Sequence, residues 1–287
     1  MIINKKLLKD LESEAISIIR DSFSKSMNAV LMYSIGKDSS VLLHLARKAF
    51  YPSPIPFPLL HIDTKWKFKE MIQFKKKIEK KYNLKIITHT NQEGVKKKLN
   101  PFSNSSYYTD IMKTEALKQA LDLYKFDFVF GGARRDEEQS RSKERVVSVR
   151  EKNHTWDPKN QRPEIWNLFN FQKTQDQSLR IFPISNWTEM DIWNYILHEN
   201  IEIVDLYFAK QRPTIIRQGS IFMVDDNRFP IEKNEKVILR TVRFRTLGCY
   251  PLTAATESSA TTLKAIIKEN SNQKFFERAG RLIDLDK

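Results

Sequence analysis

The chain has 287 residues, a net charge of +14, a hydrophobic fraction of 40% and a single cysteine, Cys249. One cysteine excludes an intramolecular disulfide and a multi-cysteine zinc site, and it favours a reducing, cytoplasmic setting. The N-terminal segment alternates charged and apolar residues, unlike a signal peptide, and no apolar run reaches the roughly 20 residues of a membrane span.

Hydrophobic periodicity predicts alternating helices and strands over the first 130 residues. In chain order we predict a helix at 5–25, a strand at 29–33, a helix around 41–49, an irregular connection at 51–58, a strand at 58–62, a helix at 66–82, a strand at 84–90, a loop at 91–109, a helix at 110–124 and a strand at 126–130. This alternation is typical of an α/β fold with a parallel twisted sheet and helices on both faces.

The second half of the chain is less regular. A charged segment at 134–152 precedes a predicted strand at 179–184. Thr188 then begins a helix, with Asp191 placed to complete a capping box. The last third contains β-like runs at 220–224 and 236–244 and a helix near 258–268, and we expect an irregular C-terminal segment. The predicted divisions are an N-terminal helix at 1–26, an α/β domain at 27–210 and a C-terminal segment at 211–287 that packs on the site and on a partner.

A polar turn, Ser34–Ser40, lies between the first strand and the second helix and reads Ser-Ile-Gly-Lys-Asp-Ser-Ser. Backbone N–H groups and the start of a helix can bind a phosphate in this position, while Lys37 adds charge and the serines add hydroxyl donors. The turn is not a Walker A loop, because Leu31 and Asp38 stand where that motif needs glycine and Ser or Thr. An ordinary capped turn is the alternative.

Two further strand ends carry candidate residues. Asp63 ends the second strand, where parallel sheets bind ligands, so it can line a ligand pocket or simply cap the following helix. Gly131 and Gly132 follow the fourth strand and permit close approach of the backbone to a ligand, with Arg134 and Arg135 directly after them. A charged surface arm is the alternative for these arginines.

The arginines are unevenly placed, since all except Arg20 and Arg47 follow position 130. Arginine can bind phosphate or sulfate through two parallel hydrogen bonds, so we give these late arginines more weight than the lysine excess. Arg243 and Arg245 are two residues apart, which predicts that they face the same side of a strand. They are candidates to complete an anion site.

The turn at Ser34–Ser40 resembles the pyrophosphate-binding loop of the ATP-pyrophosphatase (PP-loop) superfamily. Within that superfamily, seven dispersed motifs in the same order resemble the small, catalytic subunit of bacterial ATP sulfurylase. They are Tyr33–Pro52, Phe57–Thr64, Asp110–Glu115, Phe130–Glu138, Trp156–Pro163, Asn186–Glu189 and Val242–Cys249. The resemblance runs from about residue 10 to the last residue.

The resemblance implies an adenine nucleotide alpha-hydrolase-like fold and a sulfate adenylyltransferase, the first enzyme of sulfate assimilation toward cysteine biosynthesis. ATP would be the substrate with Mg²⁺ on its phosphates, and the partner would be a GTPase large subunit in a heterodimer or larger assembly. We expect no membrane and no nucleic-acid partner. We expect Lys37, Arg134 and Arg135 to act on the reacting groups. We expect nucleotide binding by Ser34, Gly36, Lys37, Asp38, Ser39, Ser40, Asp63, Gly131, Gly132, Arg243 and Arg245.

The sequence departs from the family pattern at two places. Lys65 stands where the pattern has glycine, directly after Asp63 and Thr64, and it adds bulk and charge near the expected adenosine pocket. The sequence also stops at Lys287, where the resemblance leads us to expect a further basic and aromatic tail.

Two other functions compete with this interpretation. A reductase of the related phosphosulfate family needs a C-terminal Glu-Cys-Gly cysteine, whereas Cys249 lies in a Gly-Cys-Tyr-Pro context. An RNA-modifying PP-loop enzyme, or a plain RNA-binding protein, would fit the +14 charge, but such enzymes usually carry paired cysteines. A steep loss of RNA affinity with salt would favour the RNA-binding alternative.

Overall fold

The structure is a computed structural model that describes residues 4–271. Its helices are α1 (Lys5–Lys25), α2 (Lys37–Phe50), α3 (Lys69–Lys81), α4 (Gln92–Lys96), α5 (Ser105–Thr109), α6 (Ala116–Tyr124), α7 (Glu189–Glu199) and α8 (Leu263–Asn270), with a π-helical turn at Asp110–Glu115. Its strands are β1 (Ala29–Met32), β2 (Leu59–Ile62), β3 (Ile86–His89), β4 (Phe128–Phe130), β5 (Val147–Arg150), β6 (Ser178–Ile181), β7 (Lys210–Arg217), β8 (Ser220–Met223), β9 (Ile238–Arg243) and β10 (Thr256–Glu257).

The described chain divides into two compact units. The first unit comprises residues 4–61, 84–89 and 117–202, and it contains a six-stranded sheet in the order β3-β2-β1-β4-β6-β5. β1 pairs in parallel with β2 and β4, β4 pairs in parallel with β6, and β5 is an antiparallel edge strand. The α/β prediction with a mostly parallel sheet flanked by helices is therefore confirmed.

The centre of this sheet forms the core of the first unit. The residues of β4 and the β1 residues Val30 and Leu31 are completely buried, which explains why these strands read as continuous apolar runs. The chain runs outward from β1 through β2 to β3, and then returns to place β4 on the other side of β1. This reversal creates a switch point between β1 and β4, where open α/β sheets bind ligands beyond the carboxyl ends of the strands.

The second unit comprises residues 62–83, 90–116 and 203–271, and it corrects the expectation of an irregular C-terminal segment. Four strands form an antiparallel sheet in the order β10-β9-β7-β8. The prediction missed β7 and β10. Residues 272–287, which are the end of the predicted C-terminal segment, lie outside the described residues.

Helix boundaries follow capping side chains. Thr188 and Asp191 form the predicted capping box at the start of α7. The segment at 91–109 was predicted to be a loop, which is wrong, because it contains α4 and α5. The side chains of Asn91 and Asn104 accept backbone N–H groups at the starts of these two short helices and so stabilise them. Within residues 4–271 no helix combines the length and apolarity needed to cross a membrane.

Candidate functional site

The turn after β1 leaves the start of α2 open to an anion. Gly36 is the N-cap residue, and no side chain caps the helix. The hydroxyls of Ser39 and Ser40 donate to the Gly36 carbonyl at 2.9 and 3.1 Å, and the Ser34 hydroxyl lies 3.2 Å from that of Ser39. The serines therefore shape the turn, while backbone N–H groups of the first helical turn point outward with the positive end of the helix dipole. Direct phosphate contact by these hydroxyls stays a prediction.

The unusual backbone conformation in this turn lies at Ile35. Gly36 has an ordinary φ of −74°, whereas Ile35 has a φ of +72° and is 1% exposed. A β-branched residue in the left-handed region is strained, and such strain persists where the surrounding structure enforces it, often beside ligands. The left-handed residue of this turn is therefore Ile35, one position before the glycine.

Lys37, Asp38 and Arg134 form a charge triad at the start of α2, in which the two cations are buried and Asp38 is partly buried. Lys37 Nζ lies 3.0 Å from Asp38 Oδ2, and Arg134 Nε lies 2.6 Å from Asp38 Oδ1. Lys37 and Arg134 are each only 1% exposed. Both cations bond Asp38, and Arg134 Nη1 also lies 3.6 Å from Asp136 Oδ2. Asp136 is half exposed, so water screens its charge, and the three residues of the triad keep a net positive charge at the switch point of the sheet.

Asp38 stays ionised because of this arrangement. Burial alone would raise the pKa of Asp38, but the charges and hydrogen bonds of Lys37 and Arg134 outweigh it and hold that pKa well below its usual range. A carboxyl with a depressed pKa stabilises the fold above its unfolded-state pKa, and that contribution is lost as the pH falls. Asp38 therefore serves as a fixed counter-charge rather than as a proton donor.

We expect Asp38→Asn to destabilise the protein at pH 7 by about 3–5 kcal/mol, because two buried cations lose their carboxylate. Below the unfolded-state pKa of 3.8 the parent also loses the stability that ionised Asp38 contributes. The difference in unfolding free energy between parent and variant should therefore narrow by about 1.4 kcal/mol per pH unit. Urea unfolding of both proteins from pH 7 to pH 3 measures this. A difference that stays constant down to pH 3 would contradict the assignment.

The glycine pair after β4 approaches the same turn. A Cβ atom on Gly132 would lie 3.2 Å from the backbone carbon of Asp38 and from the backbone nitrogen of Ser39. On Gly131 it would lie 2.8 Å from the ring of Phe182. The predicted close approach at Gly132 is therefore made to the start of α2, and the lack of a side chain lets the two strand-end loops touch.

Arg135 is hydrogen-bonded within its own unit, and the reactive role expected for it stays a prediction. Its Nε donates to the Glu144 carbonyl at 2.8 Å, and its two terminal nitrogens bond Asn186 and Glu164. Its backbone N–H also donates to the Ser185 carbonyl at 2.9 Å. These contacts hold three loop segments together, so Arg135 positions the turn that carries Arg134.

The remaining predicted residues belong to the second unit. Asp63 accepts hydrogen bonds from the backbone N–H and the Nζ of Lys65 at 2.8 and 2.9 Å. Lys65 has a φ of +64°, which explains why glycine suits this position in the family pattern. Arg243 is fully buried and bonds Glu269 and Asn270, which ties β9 to α8. Arg245 lies beyond the end of β9, so the expectation that the two arginines face the same side of one strand is wrong.

The sequence analysis did not identify Arg180, a further basic residue of the first unit besides Lys37, Arg134 and Arg135. Arg180 lies in β6, 8% exposed, and its Nη1 is 3.5 Å from Met32 Sδ at the carboxyl end of β1. An isolated arginine inside an apolar strand was the available signal. Residues 4–271 contain no group of three or more His, Cys, Asp or Glu side chains arranged to hold a metal ion.

Comparisons with known proteins agree on one family. Residues 28–255 match the family model described as Phosphoadenosine phosphosulfate reductase domain. A protein of Sulfurimonas denitrificans named Sulfate adenylyltransferase subunit 2 is 61% identical over 289 residues, covering 100% of this chain and 95% of that protein. Its namesake in Psychromonas ingrahamii is 59% identical over 280 residues, covering 97% and 93%.

Solved structures support the fold alone. The FMN adenylyltransferase of Candida glabrata in complex with ATP has a TM-score of 0.53 and 17% sequence identity, with coverage of 96% of this chain and 88% of that one. Identity this low shows a shared α/β architecture, and it transfers no substrate.

Proposed function

The chain belongs to the family of sulfate adenylyltransferase subunit 2, an enzyme family of nucleotidyltransferases, and we propose that it is the catalytic subunit of an ATP sulfurylase. It would convert ATP and sulfate to adenosine 5'-phosphosulfate and diphosphate. The observation that carries the proposal is the open start of α2, charged by Lys37 and Arg134 and backed by Gly132.

The first unit supplies the groups that the reaction needs. The β- and γ-phosphates of ATP would bind the N–H groups at the start of α2, where the helix dipole and Lys37 favour negative charge. A sulfate oxygen attacks the α-phosphorus, the bond from that phosphorus to the bridging oxygen breaks, and the electron pair leaves on diphosphate. Sulfate is already fully ionised at neutral pH, so the step needs no general base.

The charge triad would contribute preorganised electrostatic stabilisation. Negative charge grows on the diphosphate as the bridging bond breaks, and fixed cations in a site shielded from water stabilise that charge without having to reorganise. Lys37 lies at the first position of α2, so its charge adds to the helix potential. Arg134 holds Asp38 in place at 2.6 Å and keeps the net charge of the triad positive.

Mg²⁺ would accompany the nucleotide. This ion prefers oxygen ligands and keeps several waters, so it can bind mainly through phosphate oxygens with few protein ligands. Asp38 does not fit the role of a direct ligand, because both of its oxygens accept hydrogen bonds from Lys37 and Arg134. For Asp63, Arg243 and Arg245 a role in nucleotide binding stays a prediction.

The partner would be a GTPase subunit. The relatives are named subunit 2, which implies another subunit. The phosphoric–sulfuric anhydride product is unstable, so equilibrium opposes its synthesis, and an energy source is needed. The proposed source is GTP hydrolysis on the partner, since the chain carries no Walker A loop of its own.

The reductase alternative is disfavoured by the state of Cys249. Its thiol is buried, 9% exposed, and lies 3.3 Å from the Thr64 hydroxyl. A reductase needs a cysteine that can attack a bound sulfonyl group, and reactive cysteines are partially exposed.

The test of the function is sulfate-dependent diphosphate release from ATP, measured with and without a cognate GTPase subunit and GTP. We expect release that requires sulfate and rises when partner and GTP are added. Release that is indifferent to sulfate, or none with the partner present, would refute the proposed reaction and leave the RNA-modifying alternative to be tested.

Gly132→Ala should slow this reaction about tenfold to a hundredfold, because the added methyl group pushes on the backbone of Asp38 and Ser39 and misplaces the phosphate-binding turn. We expect a smaller cost in stability, about 1–2 kcal/mol. Gly131→Ala is the matched comparison, since its methyl group meets only the movable ring of Phe182. Equal losses of kcat in the two variants would contradict a special role for the Gly132 contact.

A further inference from the structure

Arg180 stands apart from the other arginines that are buried among residues 4–271. The others bond a carboxylate each: Arg134 bonds Asp38, Arg212 bonds Glu70 and Arg243 bonds Glu269. Arg180 has no carboxylate partner among the described residues, and its one side-chain hydrogen bond there goes to the weak acceptor Met32 Sδ. A buried cation without a counter-charge is costly, so its presence calls for a ligand or a function.

The position of Arg180 directs its guanidinium toward the switch point of the sheet. Arg180 pairs with Val129 of β4, and Val129 pairs with Val30 of β1, so these three side chains share one face. Met32 lies two residues beyond Val30 on that face, and the Arg180 guanidinium reaches its sulfur. Met32 also lies two residues before Ser34, so the guanidinium lies close to the start of the phosphate-binding turn.

The surroundings of Arg180 leave its charge unmatched. The charged side chains that act on it are Arg150 and Glu144. Glu144 already accepts two hydrogen bonds from Arg150 Nη2, at 3.1 and 3.2 Å. Burial, reinforced by Arg150, lowers the pKa of Arg180 to about 10, so Arg180 remains cationic at neutral pH. Two cations and one committed carboxylate give this face a net positive charge.

Polar groups beside Arg180 suit a small oxyanion. Ser148 pairs directly with Arg180 across β5 and β6, which places its fully buried hydroxyl on the same face. The contact of Ser148 Oγ to Gln161 Oε1 is long, at 3.4 Å. The guanidinium groups of Arg180 and Arg150 can only donate hydrogen bonds, and the Ser148 hydroxyl can donate one as well. Together these groups suit a ligand that is rich in hydrogen-bond acceptors.

We propose that Arg180 is the anchor of the sulfate subsite, where it binds a tetrahedral oxyanion with the help of Ser148 and the charge of Arg150. This inference rests on the proposed function, and it identifies Arg180 as the arginine that binds sulfate. The same chemistry would fit a phosphate group of ATP, and separate KM values for sulfate and for ATP distinguish the two ligands.

The experiment compares the parent with Arg180→Met and with the control Arg212→Met, which also removes a buried arginine but one that is paired with a carboxylate. The KM for sulfate and the KM for ATP are measured with the partner subunit present. Thermal unfolding of each protein is followed in sodium sulfate and in sodium chloride of equal ionic strength, with and without α,β-methylene ATP. Because sulfate stabilises many proteins unspecifically, specific binding is judged from the difference between the variants in the Tm shift that sulfate causes.

For Arg180→Met we expect the KM for sulfate to rise at least tenfold, the KM for ATP to stay within twofold, and the specific stabilisation by sulfate to disappear. In chloride its Tm should be unchanged or higher, since an uncompensated buried charge is gone, whereas Arg212→Met should lower Tm and leave both KM values unchanged.

Two results overturn the inference. One is a parent-like sulfate KM and sulfate-induced Tm shift in Arg180→Met. The other is an increase in the KM for ATP as large as that for sulfate, which would assign Arg180 to a nucleotide phosphate. If the parent shows no sulfate-dependent activity, the proposed reaction fails, and the Tm comparison alone decides whether Arg180 binds the anion.

Discussion

Replacing Lys37 by alanine is expected to reduce kcat for sulfate-dependent diphosphate release about 10²–10³-fold, the range found when one preorganised electrostatic group is removed from an active site. Lys37 is the only side-chain cation within the turn Ser34–Ser40, and it is 1% exposed at the first position of α2. Its charge would act on diphosphate as that group leaves, so the loss should appear in kcat more than in the KM for ATP.

The same substitution also disturbs the charge triad, and this effect must be separated from catalysis. Asp38 would keep Arg134 as its partner at 2.6 Å, so the carboxylate would remain paired and the protein should stay folded at 25 °C. Lys48→Ala is the matched control, because Lys48 lies on the same helix and bonds Glu12 and Glu199 outside the turn. We expect Lys48→Ala to lower Tm while kcat stays within twofold of the parent.

Steady-state kinetics and thermal unfolding of both variants check this prediction. A Lys37→Ala enzyme that retains more than a tenth of the parent kcat would show that the backbone of the turn holds the phosphates without this lysine. Equal kinetic losses in the two variants would mean that the charge of α2 as a whole matters, rather than the position of Lys37.

The local parts of the fold could be predicted because each depends on residues close together in the sequence. α1 matches its predicted bounds, since its apolar residues repeat at helical spacing. The Thr188 capping box was read from a spacing of three residues. β5 was missed because it is a short edge strand within a charged segment, and Val147 and Val149 are its only apolar residues.

For the candidate site, too, only features that are local in the sequence could be predicted. The turn at Ser34–Ser40 is a local motif, so its place between β1 and α2 could be predicted. The pairing of Asp38 with Arg134 could not, because it joins residues 96 apart and depends on the order of the strands. Nor does any local pattern distinguish Arg134, which bonds the Asp38 carboxylate, from Arg135, which bonds surrounding loops. Only the three-dimensional structure shows that Arg180 has no carboxylate partner among the described residues.

The contrast between Arg134 and Arg135 gives the second large expected effect. We expect Arg134→Met to lower kcat at least 10²-fold and to cost about 3–5 kcal/mol of stability, because it breaks a buried ion pair at the start of α2. Arg135→Met should cost about 1–2 kcal/mol through its lost hydrogen bonds to Asn186, Glu164 and the Glu144 carbonyl. Its kcat should stay within about threefold of the parent under conditions where the protein is fully folded.

A double variant, Asp38→Asn with Arg134→Met, separates stability from catalysis. Removing both members of a buried pair is often far less destabilising than removing one, so the double variant should recover much of the stability that Arg134→Met loses. Catalysis should not recover, because the double variant keeps the net charge of the triad through Lys37 but lacks the Arg134 guanidinium at the start of α2. Unfolding in urea and kcat are measured on the same four proteins of this cycle. If kcat returned together with stability, Arg134 would act only by holding the fold, and the positive charge that acts on the leaving diphosphate would have to come from Lys37 and the start of α2 alone.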